Sequence, residues 1–225
     1  MPSTELAHFF NVALDIQAPP YPGIHVADGL IAATNHVMRV AKTYSTEFLR
    51  GEGAISPKAV RVLEALANVT WISRIEVDDN RVCVTAQTTR YDEKLGGEVA
   101  GEYQAIVLPD FYCRQIPIKR MIGALTDERL FWANIAENPT LKTLREAGAK
   151  DYVSLRDAPP RTNGELFRPK TDTDTYWYSA AQLRRGLRLF GTKAHLRVRC
   201  NRDGWLVFED RWGQTFAVTP FTKRG

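Results

Sequence analysis

Three cysteines in 225 residues leave little room for cysteine chemistry. Cys83, Cys113 and Cys200 are odd in number, far apart and without a CxxC pair, which argues against a disulfide framework and a cysteine-rich zinc site. No apolar run approaches the roughly 20 residues that a membrane helix needs. The opening MPSTELAHFF lacks the basic-then-apolar order of a secretory leader. The expectation is a soluble protein in a reducing cytoplasm, with no membrane partner. Catalytic signatures are missing as well: there is no Walker loop, no GxSxG and no HExxH. The acidic trio Glu76, Asp78 and Asp79 lacks the glycine and spacing of a calcium loop and reads as a hairpin turn. No enzymatic activity, cofactor or metal is expected.

What is present is an ordinary globular balance, 44% apolar and 25% charged, with the charge unevenly placed. Residues 151–225 hold 14 Lys and Arg against 8 Asp and Glu, whereas residues 1–150 hold 16 against 18. A basic last third suits a polyanion or an acidic partner, and where that charge sits decides between them.

One order of elements recurs along the chain. Near the end, Leu183, Leu187 and Phe190 fall at helical spacing and Gly191 supplies a stop. Ala194, Leu196, Val198 and Cys200 then alternate with His195, Arg197, Arg199 and Asn201, the period of a half-buried strand. Asp203-Gly204 and Trp212-Gly213 make turns between two further strands. Residues 56–107 repeat the pattern. Ser56-Pro57 starts a helix whose buried stripe reads as Ala59, Val62, Leu63 and Leu66. WISRIEV, RVCVTAQTTR and EVAGEYQAIVL follow as strands, with polar turns at 78–80 and Gly96-Gly97. A third copy opens with Leu6, Phe9, Phe10 and Ala13 on one helical face and continues as strand, Asp28-Gly29 turn, strand, strand. A fourth helix begins near Pro117, with Ile118, Met121, Ile122 and Leu125 in register, and residues 126–175 after it read as irregular. That stretch holds a helical run at 139–147 and a short strand at 151–155.

Helix starts near 4, 56, 118 and 179 lie 52, 62 and 61 residues apart, the signature of a repeated supersecondary unit. The expected architecture is α+β: two similar domains, 1–110 and 111–225, built of helix-plus-three-strand units, with the third unit degenerate and an insertion around 126–175. Proline and an extended segment at IVLPDFYCRQIP mark the boundary.

These paired units, with PGIHVADGLIAATNHVMRVAKTYS as a first sheet and DGWLVFEDRWGQTFAVTP as a last, resemble the DNA sliding clamps, in particular phage-type clamps. Residues 1–117 and 176–225 carry the resemblance. It implies a non-enzymatic processivity factor, viral in origin, that binds duplex DNA without sequence preference, tethers a DNA polymerase and is placed by a clamp loader. It also implies a homotrimer, since three two-domain chains close a six-domain ring. The net charge of +4 equally suits a protein that holds DNA by charge without encircling it, as herpesvirus processivity subunits do.

A clamp needs helices that turn Lys and Arg toward phosphates. Arg184, Arg185 and Arg188 lie opposite the apolar stripe of the last helix, with Lys193 just beyond it, and Lys119 and Arg120 lie opposite Ile118, Met121 and Leu125. Lys58 and Arg61 stand one turn apart on the second helix. The first helix departs from the pattern, offering Thr4, His8, Asn11 and Asp15. By resemblance, a groove that takes apolar partner peptides would be lined by Leu108, Pro109, Phe111, Pro220 and Phe221.

Two other readings stay open. Tyr176, Trp177, Tyr178, Trp205 and Trp212 beside the arginine-rich region suit a sequence-tolerant single-strand binder that stacks bases on aromatics. His25 and His195, each on an expected strand, faintly resemble the paired His-x-Thr/Ser motifs of two-histidine phosphoesterases, but Ala27 and Arg197 stand where those enzymes need a hydroxyl.

Overall fold

Leu6, Phe9, Phe10, Ala13 and Ile16 recur every three or four residues, and in the computed structural model they form the buried stripe of helix α1 (Ser3–Ile16). The structure describes residues 3–19, 21–78, 81–109, 128–135, 166–167, 177–190, 195–201 and 204–220. It has an α+β fold and divides into two compact units: Met1–Ala33 with Thr43–Ile118, and Thr34–Lys42 with Lys119–Gly225.

In the first unit α1 is followed by β1 (Ile24–Ala27), β2 (Leu30–Thr34) and, after β3 (Met38–Thr43), which lies almost wholly in the second unit, β4 (Leu49–Ile55). Helix α2 (Pro57–Val69) then leads to β5 (Trp71–Asp78), β6 (Arg81–Asp92) and β7 (Gly97–Pro109). The strands of this unit run in the order β7-β6-β5-β4-β1-β2. Helix α2 starts where the sequence says it should: the Ser56 hydroxyl accepts the Ala59 amide at 3.1 Å, and Pro57 fills the first turn, where no backbone donor is needed. It also serves as the crossover between β4 and β5, which pair in parallel and so cannot be joined by a tight turn.

Two expectations are corrected here. The buried stripe of α2 is Ala59, Val60, Leu63 and Ala67, rotated from the expected one, and Val62 and Leu66 are only half-buried. The rotation accompanies the packing of α2 against α1. Strand β4 lies where sequence alone predicts no strand. Its LRGEGAI breaks both alternation and β-propensity, yet the strand forms because its neighbours demand it. Gly51 sits there at φ +90°, where a Cβ would run into the Val77 carbonyl of β5, and its amide donates to the Asp28 side chain at 3.0 Å.

The second unit takes β3 from the hairpin Thr34–Lys42 and orders its strands β3-β13-β12-β11-β8. Here β8 is Glu128–Ile135, β11 Leu196–Asn201, β12 Leu206–Asp210 and β13 Gln214–Val218. A small sheet pairs β9 (Leu166–Phe167) with β10 (Tyr178–Ser179), which leads directly into helix α3 (Ala180–Leu187). Strand β8 lies in the stretch expected to be irregular and pairs with β11. Placing 34–42 with the first domain also missed where that hairpin goes: β3 pairs with β13 from Met38↔Val218 to Lys42↔Gln214. The turn is local, with Asn35 Oδ1 accepting the Met38 amide at 2.8 Å and His36 held at φ 73°.

The core of this unit is aromatic. Phe208 and Phe216 are fully buried, register partners across β12 and β13, and stack with ring centroids 5.5 Å apart. Helix α3 lies on Phe216 through Gly186, whose missing side chain makes room for the ring. The Tyr178 hydroxyl, entirely buried, donates to the Gly204 carbonyl and ties the start of α3 to the turn before β12.

Candidate nucleic-acid interface

The clearest feature is on α3. The Ser179 hydroxyl caps its N-terminus through the Gln182 amide at 3.4 Å, and Leu183, Gly186 and Leu187 face the sheet. That leaves Arg184, Arg185 and Arg188 exposed, and no acidic residue occurs in the helix or its cap. Arg184 and Arg185 occupy the last turn, where they also complement the helix dipole. Three guanidiniums on about two turns make a patch suited to phosphate oxygens, each fork matching two acceptors.

The helix pair of the first unit is different. Lys58 and Arg61 are both exposed on α2, as the spacing foretold. Their neighbour Glu64, one turn beyond Arg61, is half-buried on the flank next to α1, where its Oε1 accepts Asn11 Nδ2 at 3.1 Å. Thr4, His8, Asn11 and Asp15 are the exposed face of α1. Glu64 was not singled out in the sequence, because only the contact with a residue 53 positions away gives it a role.

Lys119, Arg120 and Lys193 lie outside the described residues, as do the fourth helix near Pro117, the helical run at 139–147 and the strand at 151–155. Of the residues expected to receive a partner peptide, Leu108 and Pro109 end β7, in register with Val82 and Arg81 of the first unit. Pro220 is half-buried just after β13 in the second unit, where the preceding Thr219 amide donates to the Val37 carbonyl at 2.8 Å. Phe111 and Phe221 lie outside the described residues.

Among the described residues, Tyr178, Trp205 and Trp212 do not form a single platform. Tyr178 is core, and Trp205 is half-buried against Val207 and Ala217 with the Arg39 guanidinium 3.9 Å above its ring. Trp212 is 64% exposed at the turn between β12 and β13, with Arg211 stacked on it at 4.6 Å. The two tryptophans are separated by the length of β12, on the order of 17 Å. Tyr176 lies outside the described residues. Arg199, expected on the outer face of β11, is buried and pairs with Glu209 across the strands at 3.3 Å.

Neither histidine is placed for catalysis with the other. His195 is exposed in the second unit, whereas His25 is buried in the first, edge-on to Tyr21 at 6.5 Å. Neither ring nitrogen of His25 has a hydrogen-bond partner among the described residues. Burial lowers its pKa, and the Tyr21 backbone opposes that shift more weakly. Among the described residues no cluster of three or more His, Cys, Asp or Glu could hold a metal, and no helix is long and apolar enough to cross a membrane.

The sequence matches no family model and no curated relative. Solved structures do match, over nearly the whole chain. The DNA polymerase III beta subunit of Thermotoga maritima superposes with a TM-score of 0.59 at 10% identity, covering 99% of this chain and 64% of that one. The beta sliding clamp of C. crescentus gives 0.60 at 9% identity, with 99% and 64% covered. This is the DNA sliding-clamp fold. The Pseudomonas aeruginosa DNA polymerase III subunit beta agrees, with a TM-score of 0.57, 11% identity, and 99% and 65% covered. The clamp fold here therefore spans less than two thirds of the length of these relatives. The resemblance drawn from apolar spacing and turns holds at the level of fold, at identities that leave charge and surface free to differ.

Proposed function

We propose that the chain is a clamp-like processivity factor that holds duplex DNA non-specifically through basic helix faces and tethers a polymerase. The reading rests on the three exposed arginines of α3, set on a sliding-clamp fold. Lys58, Arg61, Lys119, Arg120 and Lys193 would add phosphate contacts, and Leu108, Pro109, Phe111, Pro220 and Phe221 would line the partner site. Such a protein performs no chemistry: charge holds it to the backbone without reading bases, so that it slides. The scattered tryptophans, one of them covered by Arg39, weigh against the single-strand platform.

Three copies of a chain with two clamp-like units would close a six-unit ring, with a mass near 3 × 25.4, about 76 kDa. The decisive experiment is duplex binding across a salt series for the chain with Arg184, Arg185 and Arg188 replaced by alanine. All three are exposed, so the fold should persist. Loss of three phosphate contacts should flatten the slope of log K against log salt by roughly 2.7. An unchanged slope would return these arginines to a merely solvated face.

A further inference from the structure

The helices of the two units differ in charge in a way that net composition hides. On α3 and its cap three arginines face solvent with no acidic residue among them. On α1 and α2 together, two basic residues, Lys58 and Arg61, stand against three acidic ones, Glu5, Asp15 and Glu64. Glu64 is the acidic group best placed to matter. It follows Arg61 by one turn, where side chains on a helix are neighbours, and its Oε1 accepts from Asn11 Nδ2 of α1 at 3.1 Å.

We propose that Glu64 tunes nucleic-acid contact: its charge offsets Lys58 and Arg61, so that α2 contributes little phosphate binding and α3 carries most of it. This rests on the duplex-binding reading above. A carboxylate beside a basic pair repels an approaching phosphate and lowers the local potential that phosphate feels. Contact that is strong on one helix and weak on another keeps the complex from locking onto the backbone, which suits a protein that must move along it.

The test is Glu64→Gln in the full chain, with binding of a random-sequence duplex followed across a salt series. Glutamine keeps an oxygen to accept from Asn11, so only the charge is lost. Affinity at low salt should rise roughly threefold to tenfold, as expected for removing one like charge several ångströms from a phosphate. The salt slope should steepen by about one unit as α2 gains a contact. The gain should vanish when Lys58 and Arg61 are also replaced by alanine. A gain that survives that double replacement would mean a general change of net charge and would overturn the proposal. So would unchanged binding in Glu64→Gln when the α3 arginine replacement still weakens the complex. If the α3 replacement has no effect either, the duplex-binding reading fails first.

Discussion

Gly186 decides how closely α3 can approach its sheet, and Gly186→Ala tests that directly. In an isolated helix the change would be welcome, since alanine is favoured over glycine by about 0.8–1.0 kcal/mol. Here the new Cβ would overlap three atoms of the Phe216 ring, Cδ2, Cε2 and Cζ. The ring has nowhere to go: Phe216 is fully buried and stacked on Phe208 at an interplanar angle of 15°. Relief therefore requires α3 itself to move outward. Overpacking of a tight core costs ~1–3 kcal/mol, and an overlap shared by three ring atoms belongs at the upper end. Set against the propensity gain, the net loss should be ~2 kcal/mol.

Urea denaturation provides the measurement. With a slope of ~2 kcal/mol per molar, the midpoint for the second unit should fall by about 1 M without a change in slope. Phe216→Leu removes the ring, so in that background Gly186→Ala should cost much less, a coupling of ~1–2 kcal/mol in the double-mutant cycle. A midpoint unchanged or raised by Gly186→Ala, or an equal penalty in both backgrounds, would refute the claim that this contact sets the helix position.

Two further outcomes follow from local structure. Buried His25 has a pKa below the ordinary 6.5, so it is neutral in both folded and unfolded chains above that pH. As pH falls below 6.5 the unfolded chain takes up a proton that the folded one resists. Stability should then drop by up to ~1.4 kcal/mol per pH unit until the lowered pKa is reached, and level off. His25→Leu should remove that slope; parallel pH profiles for both proteins between pH 7 and 5 would count against the assignment. At the β2–β3 turn, His36 holds a left-handed φ of 73°, which glycine adopts without strain. His36→Gly should stabilise the protein by ~1 kcal/mol in thermal or urea unfolding, and a loss would show that the His36 side chain contributes more than its backbone costs.

Local signals carried much of the fold. The apolar stripe of α1, the helix start at Ser56-Pro57, and turns whose glycines take positive φ at Gly29, Gly96 and Gly213 were all readable in the sequence. What escaped reading depends on partners distant in the chain. Strand β4 looks like a loop until Asp28 binds the Gly51 amide and β5 lies alongside. The orientation of α2 accompanies its packing against α1, and the hairpin 34–42 joins the second unit because β13 offers it an edge. Arg199 seemed to belong outside by alternation alone, but Glu209 on the neighbouring strand lets it stay buried. In the candidate interface, exposure of Lys58, Arg61, Arg184, Arg185 and Arg188 could be read from their spacing opposite apolar residues. The Asn11–Glu64 contact that qualifies two of them could not.

Net charge is the weaker guide to such an interface. A formal +4 over the whole chain says nothing of where a polyanion would rest. At physiological salt a phosphate feels charges within ~8 Å, and more distant ones are largely screened. Along its own length α3 carries two arginines and its cap a third, with no acidic residue, while α1 and α2 together carry three acidic residues against two basic ones. The same close packing that excludes a side chain at Gly186 also fixes where those guanidiniums stand, because a helix seated directly on Phe216, itself stacked on Phe208, cannot roll without unpacking the core. Position and charge are thus set by one contact, and an interface that depends on phosphate geometry rather than on bases needs both.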